Sequence, residues 1–145
     1  MICYYDTSAF VPILIAESSS NACQRLWSEA DSVVTTRLLY VESAAVLAQG
    51  LRTNRLTGSE HRSALRALDR HWLDFDVVEA DHALIERAAQ LTQLASLRGY
   101  DAVHCAAAEQ VEENDLVVAA GDQRLLAACA QLGISTADVN NPDYL

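Results

Sequence analysis

The chain has 145 residues, of which 51% are hydrophobic and 21% charged, a globular composition in a length that suits one domain with a real core. All ten basic residues are arginines, so P-loop phosphate binding, Schiff-base chemistry and lysine-assisted aspartyl-phosphate chemistry are excluded. The net charge of −10 argues against a general polyanion binder, yet residues 51–72 hold five arginines against Glu60 and Asp69, a local +3 that leaves −13 elsewhere.

The N-terminus lacks a basic stretch and places Asp6 where a secretion signal would be apolar. The apolar run over residues 9–16 is too short to cross a bilayer and contains Pro12. A cytoplasmic protein without membrane segments is expected. Cys3, Cys23, Cys105 and Cys129 are scattered among apolar neighbours with no C-x-x-C pair, so they read as small buried hydrophobes in a reducing compartment.

Residues 2–5 read as a buried first strand ending in Asp6-Thr7-Ser8. In an open α/β sheet, chemistry is done at the carboxyl ends of strands, which makes Asp6 a candidate catalytic carboxylate. Ser8 is the expected cap of a helix over residues 9–15, with Pro12 in its first turn. Ser18-Ser19-Ser20-Asn21 opens a second helix running to about residue 30, and Val33-Val34-Thr35 is a short strand. Residues 37–53 form a helix on which Leu38, Leu39, Ala45 and Val46 share a face with Glu42. A carboxylate there needs a counter-charge, and with no arginine three or four residues away it must come from elsewhere in the fold, unless the acid is protonated.

Thr57-Gly58-Ser59-Glu60 is a capping-box signature opening a helix with Arg62, Arg66 and Arg70 along one edge. With Arg52 and Arg55 this row is either a solvated face or the patch that meets a polyanion. Residues 73–78 alternate as an edge strand with acids toward water, and Asp81 caps a helix whose core stripe is Leu84, Ile85, Ala88, Leu91, Leu94 and Ala95. Gly99 breaks that helix and sets Asp101 in the first turn of an Ala-rich one, with His104 a turn later, in the core or behind the acids, a ligand role being the lesser alternative. Residues 116–119 form a buried strand followed by Gly121-Asp122, repeating the strand–acid–helix logic of the opening. A helix over 124–132, a short strand at 133–136 and a tail over 140–143 complete the chain.

Strands alternating with helices predict a three-layer α/β/α domain spanning residues 1–145 around a parallel sheet. An order of 3-2-1-4-5 would make Asp6 and Asp122 neighbours at the switch point, where Asp6, Glu42, Asp101 and Asp122 are expected to meet. In these four pieces, Tyr5-Asp6-Thr7-Ser8, Tyr40-Val41-Glu42-Ser43-Ala44, Leu97-Arg98-Gly99-Tyr100-Asp101-Ala102-Val103-His104 and Gly121-Asp122-Gln123-Arg124-Leu125, the chain resembles the PIN-domain nucleases, and within them the VapC toxins of toxin–antitoxin pairs. One departure is Ala120, where such proteins often carry Ser or Thr two residues before the last Asp.

The resemblance implies a hydrolytic endoribonuclease that cuts RNA and stops translation, partnered by a small VapB-like antitoxin and by a second copy of itself. Crowded carboxylates call for a cation, and an all-oxygen set without His or Cys suits Mg²⁺ or Mn²⁺. Asp6 and Asp101 would then bind the metal directly. Glu42 and Asp122 would bind through waters or hold a second ion, one of them orienting the attacking water. Thr7 and Ser8 either touch the phosphate or cap the helix, while Arg52, Arg55, Arg62 and Arg66 are the candidate substrate contacts. The rival expectations are an aspartyl-phosphate protein, which lacks its lysine here and has no second Asp two residues after Asp6, and a non-catalytic nucleic-acid- or protein-binding module on the same scaffold.

Overall fold

Five short strands carry the frame: β1 (Ile2–Tyr5), β2 (Ser32–Thr36), β3 (Phe75–Val78), β4 (Leu116–Ala120) and β5 (Ser135–Asp138). In the computed structural model, which describes residues 1–111 and 113–141, they form one sheet in the order β3-β2-β1-β4-β5, every pair parallel. The order and the edge position of β3 are as the sequence predicts. β1 pairs with β2 on one side (Tyr4 opposite Val34) and with β4 on the other (Tyr5 opposite Ala119), so the strand order reverses beside β1 and a crevice opens at its carboxyl end.

The seven helices assigned in the described residues are α1 (Thr7–Leu14), α2 (Ser20–Glu29), α3 (Leu38–Arg52), α4 (Gly58–Trp72), α5 (His82–Ala95), α6 (Gly99–Val111) and α7 (Gln123–Gln131). Alternation along β1 divides the core between them. Tyr5 and Cys3 pack with Phe10, Cys23, Leu26, Leu39 and Leu68 of α1 to α4. Tyr4 faces the other way, into Leu84, Leu91, Leu125 and the buried run Ala102 to Ala108 of α5 to α7. All four cysteines are free and wholly buried, as expected. No helix among the described residues is long and apolar enough to cross a membrane.

Several local expectations are corrected. Asp6, not Ser8, caps α1, because its carboxylate accepts from the Ser8 amide. The helix therefore starts at Thr7 and Pro12 lies beyond the first turn, where its missing N–H leaves one helical carbonyl without its usual donor. The buried stripe of α3 is Leu39, Ser43, Leu47 and Gly50, while Ala45 and Val46 face outward. On α5, Ile85 and Leu94 are exposed. The break after α5 falls at Ser96, in the left-handed region at φ 52°, and Gly99 instead begins α6. The Thr57–Glu60 capping box is present with both hydrogen bonds. Of the expected tail, Asn140 folds back to donate to the Gly121 carbonyl at 3.2 Å; Pro142 and Asp143 lie outside the described residues.

Candidate active site

Two adjacent strands end in the same way. Asp6 follows β1 and caps α1; Asp122 follows β4 and caps α7, its Oδ1 accepting from the Arg124 and Leu125 amides at 2.9 and 3.2 Å. Each carboxylate thus sits in the favourable field of a helix N-terminus. Ser8 ties the two corners together: its hydroxyl donates to Asp6 Oδ2 and accepts from the Gly121 amide at 2.8 Å. A Cβ at Gly121 would stand 2.8 Å from Asn140 Nδ2, so any larger residue there would displace the Asn140 side chain.

Glu42 from α3 and Asp101 from α6 complete the set, and all four predicted acids line one cleft of about 410 Å³ at the switch point. Thr7, Ser8, Glu17, Ser19 and Asn140 also line it. Ala120 is wholly buried, so the hydroxyls at this cleft come from Thr7, Ser8 and Ser19.

The counter-charges come from residues given no definite role in the sequence. His104 is buried behind the acids, its Nε2 at 2.7 Å from Glu42 Oε1 and 3.5 Å from Asp6 Oδ1, and its Nδ1 at 2.8 Å from the Tyr4 hydroxyl. This is the distant partner that Glu42 needed, an imidazole and not an arginine. Burial alone lowers the His104 pKa, but Asp6, the Glu42 hydrogen bond and Asp101 outweigh it and the net direction is upward. Burial also keeps Tyr4 well above the usual phenol range, so it stays a neutral hydroxyl.

Arg98 serves the other two acids, with Nε at 3.1 Å from Asp101 and an outer nitrogen at 3.3 Å from Asp122. It is the single basic residue among those described as lining the cleft. The spacing of three residues between Arg98 and Asp101 was the available signal; the reach to Asp122 has no local trace. Arg52, Arg55, Arg62 and Arg66, by contrast, do not line the cleft. They are exposed on α3, on α4 and, for Arg55, in the connection between them, with Arg55 3.6 Å from Glu17, Arg52 bonded to Gln49 and Arg66 to Ser63.

Burial raises Asp101 above the ordinary carboxylate range; Asp122 and Asp6 push the same way, against the pull of Arg98. The chain's own cations therefore leave the cleft short of positive charge. Thr7 adds a buried hydroxyl with no partner. Oxygen donors in a charge-deficient cleft fit Mg²⁺ or Mn²⁺. As the side chains stand, no three His, Cys, Asp or Glu groups among the described residues converge into a ready cage.

A family profile for the PIN domain matches residues 3–131. Among curated proteins, Ribonuclease VapC45 of Mycobacterium tuberculosis is 39% identical over 122 residues, covering 84% of this chain and 85% of that protein. The crystal structure of VapC20 from Mycobacterium tuberculosis, a toxin that cleaves the sarcin–ricin loop, superposes with a TM-score of 0.70 at 20% identity over 87% of this chain and 94% of that one. A toxin–antitoxin complex from Klebsiella pneumoniae gives 0.62 at 14% identity, covering 86% and 90% of the two chains. These two structures speak for the fold alone.

Proposed function

The chain belongs to the PIN-domain family, and we propose that it is the toxin of a VapBC-type pair, a metal-dependent endoribonuclease that cuts RNA and thereby stops translation. One observation carries this reading: four carboxylates from four separate segments line a single cleft at the sheet's switch point. A structural role would not gather them there, since crowding acids is costly without a cation.

Asp6, Glu42, Asp101 and Asp122 would hold Mg²⁺ or Mn²⁺, which when bound supplies an acidified water and neutralises charge on the phosphoryl group. The chain's own residues do the rest. The helix caps at Asp6 and Asp122 fix two carboxylates to the backbone, so their oxygens need no reorganisation. His104, locked by Tyr4, aims Glu42 into the cleft, where its free oxygen can accept a proton from an attacking water. The Thr7 hydroxyl, buried in the wall of this cleft without a partner among the described residues, would reach a phosphate oxygen only if its side chain turned outward.

The whole of residues 1–145 acts as one PIN unit in the cytoplasm, as a homodimer. Its acidic body suits a basic VapB-like antitoxin. The Arg52–Arg66 row lies outside the cleft and serves the RNA away from the cut.

The test is incubation of purified protein with total RNA in Mg²⁺, Mn²⁺ or EDTA, beside Asp101→Asn. Discrete fragments that vanish with EDTA and with the variant are expected. Cleavage that survives in Asp101→Asn would show that the site is wrongly placed. A protein that binds RNA in every condition but never cuts it would instead be a binding module.

A further inference from the structure

Arg98 stands apart from every other charge at the cleft. Its side chain is 70% exposed, while the carboxylates it touches are 13% and 23% exposed. Its fork does not seat on one carboxylate in the tight two-bond manner; it spreads across two, with one contact of 3.1 Å and one of 3.3 Å. Charge-assisted contacts that hold firmly are about 2.7–2.9 Å. Arg87, by comparison, closes on Glu109 with two bonds of 2.7 and 2.8 Å. Arg98 is therefore a loose outer lid on two acids, Asp122, which its helix cap holds independently, and Asp101, whose carboxylate has Arg98 as its one hydrogen-bond partner among the described residues.

It also has somewhere to go. Arg98 lines both the acid cleft and the neighbouring groove of about 840 Å³ between α3, α5 and α6, whose walls include Leu38, Ile85 and Tyr100. The (CH₂)₃ stem of an arginine can lie on such apolar walls while its head stays in water.

Resting on the metal-site reading above, we infer that Arg98 is the cleft's built-in counter-cation: it occupies Asp101 and Asp122 in the resting protein and competes with the divalent cation for them. An arginine keeps its charge throughout the physiological range, so no pH change removes this competitor. Mass action of the divalent cation does. The apparent affinity for metal is then lowered by the fraction of molecules in which Arg98 is seated. Arg98 is a positioning residue in this account, acting on the metal through two acids.

The experiment is titration calorimetry of Mn²⁺ into RNA-free wild type, Arg98→Gln and Arg98→Lys, with circular dichroism to check each fold. Because the pairs are partly exposed, Arg98→Gln should bind Mn²⁺ about three- to tenfold more tightly. Arg98→Lys, which keeps the charge without the fork, should fall between. A merely structural arginine would give the opposite sign, since its loss would loosen the site. Equal or weaker binding by Arg98→Gln, with wild type binding normally, would overturn the competition while leaving the metal site standing. Absence of Mn²⁺ binding in wild type and both variants would overturn the metal site itself, and this inference with it.

Discussion

His104 offers the sharpest test of how the cleft is held. Its Nδ1 is the hydrogen-bond partner of the Tyr4 hydroxyl at 2.8 Å, and both residues are essentially shielded from water, at 1% and 0% exposure. In His104→Leu the Tyr4 hydroxyl stays buried and loses its His104 partner, with the Thr35 hydroxyl as a remaining polar neighbour, which should cost about 1–3 kcal/mol. Glu42, 18% exposed, can turn to water, whereas buried Asp6 also loses the imidazole 3.5 Å away, a loss that His104→Leu shares with the double variant and that therefore cancels between them. Tyr4→Phe alone strands the Nδ1 and should cost a similar amount, about 1–3 kcal/mol. The double variant strands neither group. It should therefore be more stable than His104→Leu by about 1 kcal/mol or more, a coupling that independent sites do not show. Urea unfolding in EDTA, followed by the fluorescence of Trp27 and Trp72, would measure all four proteins at once. Additive losses, with the double variant the least stable, would refute the idea that the Tyr4–His104 bond is what keeps these two buried groups affordable.

Two further predictions concern protons and thiols. Asp101 has its folded pKa raised above the usual value, so the folded protein holds that proton more tightly than the unfolded chain. The contribution is complete below the unfolded pKa and is lost as pH rises through the folded one. Without metal, Asp101→Asn should thus be more stable relative to wild type at neutral pH than in acid; a melting-temperature difference that ignores pH, or shrinks toward neutrality, would contradict this. Burial pushes the Cys3 thiol up to about 12 and Cys23 to about 11, and all four cysteines have no exposed surface. An aromatic disulfide reagent at about pH 8 should find no fast-reacting thiol in the native protein and four after unfolding, because only an accessible thiolate reacts.

What the sequence made legible was whatever is decided within a few residues or by topology alone. The β1 run ending at Asp6, the Thr57–Glu60 box and the alternating strand at β3 are local signals, and the structure follows them. Alternation of elements implied a parallel sheet with helices on both faces, while the 3-2-1-4-5 order belonged to the PIN-like fold the chain resembles, and the strands adopt it. What failed was rotation about a helix axis. Of Leu38, Leu39, Ala45 and Val46, the face expected beside Glu42, α3 buries Leu39, and its other buried residues are Ser43, Leu47 and Gly50. Apolar residues lie all around that helix, so periodicity could not choose a face; packing on α1 and α4 chose it. The counter-charges were hidden for a different reason. Glu42 meets His104 across 62 positions and Asp122 meets Arg98 across 24, separations at which nothing in one chain marks a pair.

Those two partners divide the cleft into unlike halves. Asp6 and Glu42 are held from behind, by a buried imidazole and by the Ser8 hydroxyl, groups that cannot leave without exposing Tyr4 or opening the β1–β4 corner. Asp101 and Asp122 are bridged from in front by a side chain already in water. The same arginine on the buried side would be a permanent salt bridge, and the same histidine on the open side would come and go with pH. Under the competition inferred for Arg98, Asp6 and Glu42 would be the fixed seat, and the Arg98 bridge across Asp101 and Asp122 would be the gate answering to cation concentration. A cleft built this way can remain folded with no ion bound, because each of its four acids already has a partner. It can also accept one without rebuilding its core, because the partner that must move is the one with no core to disturb.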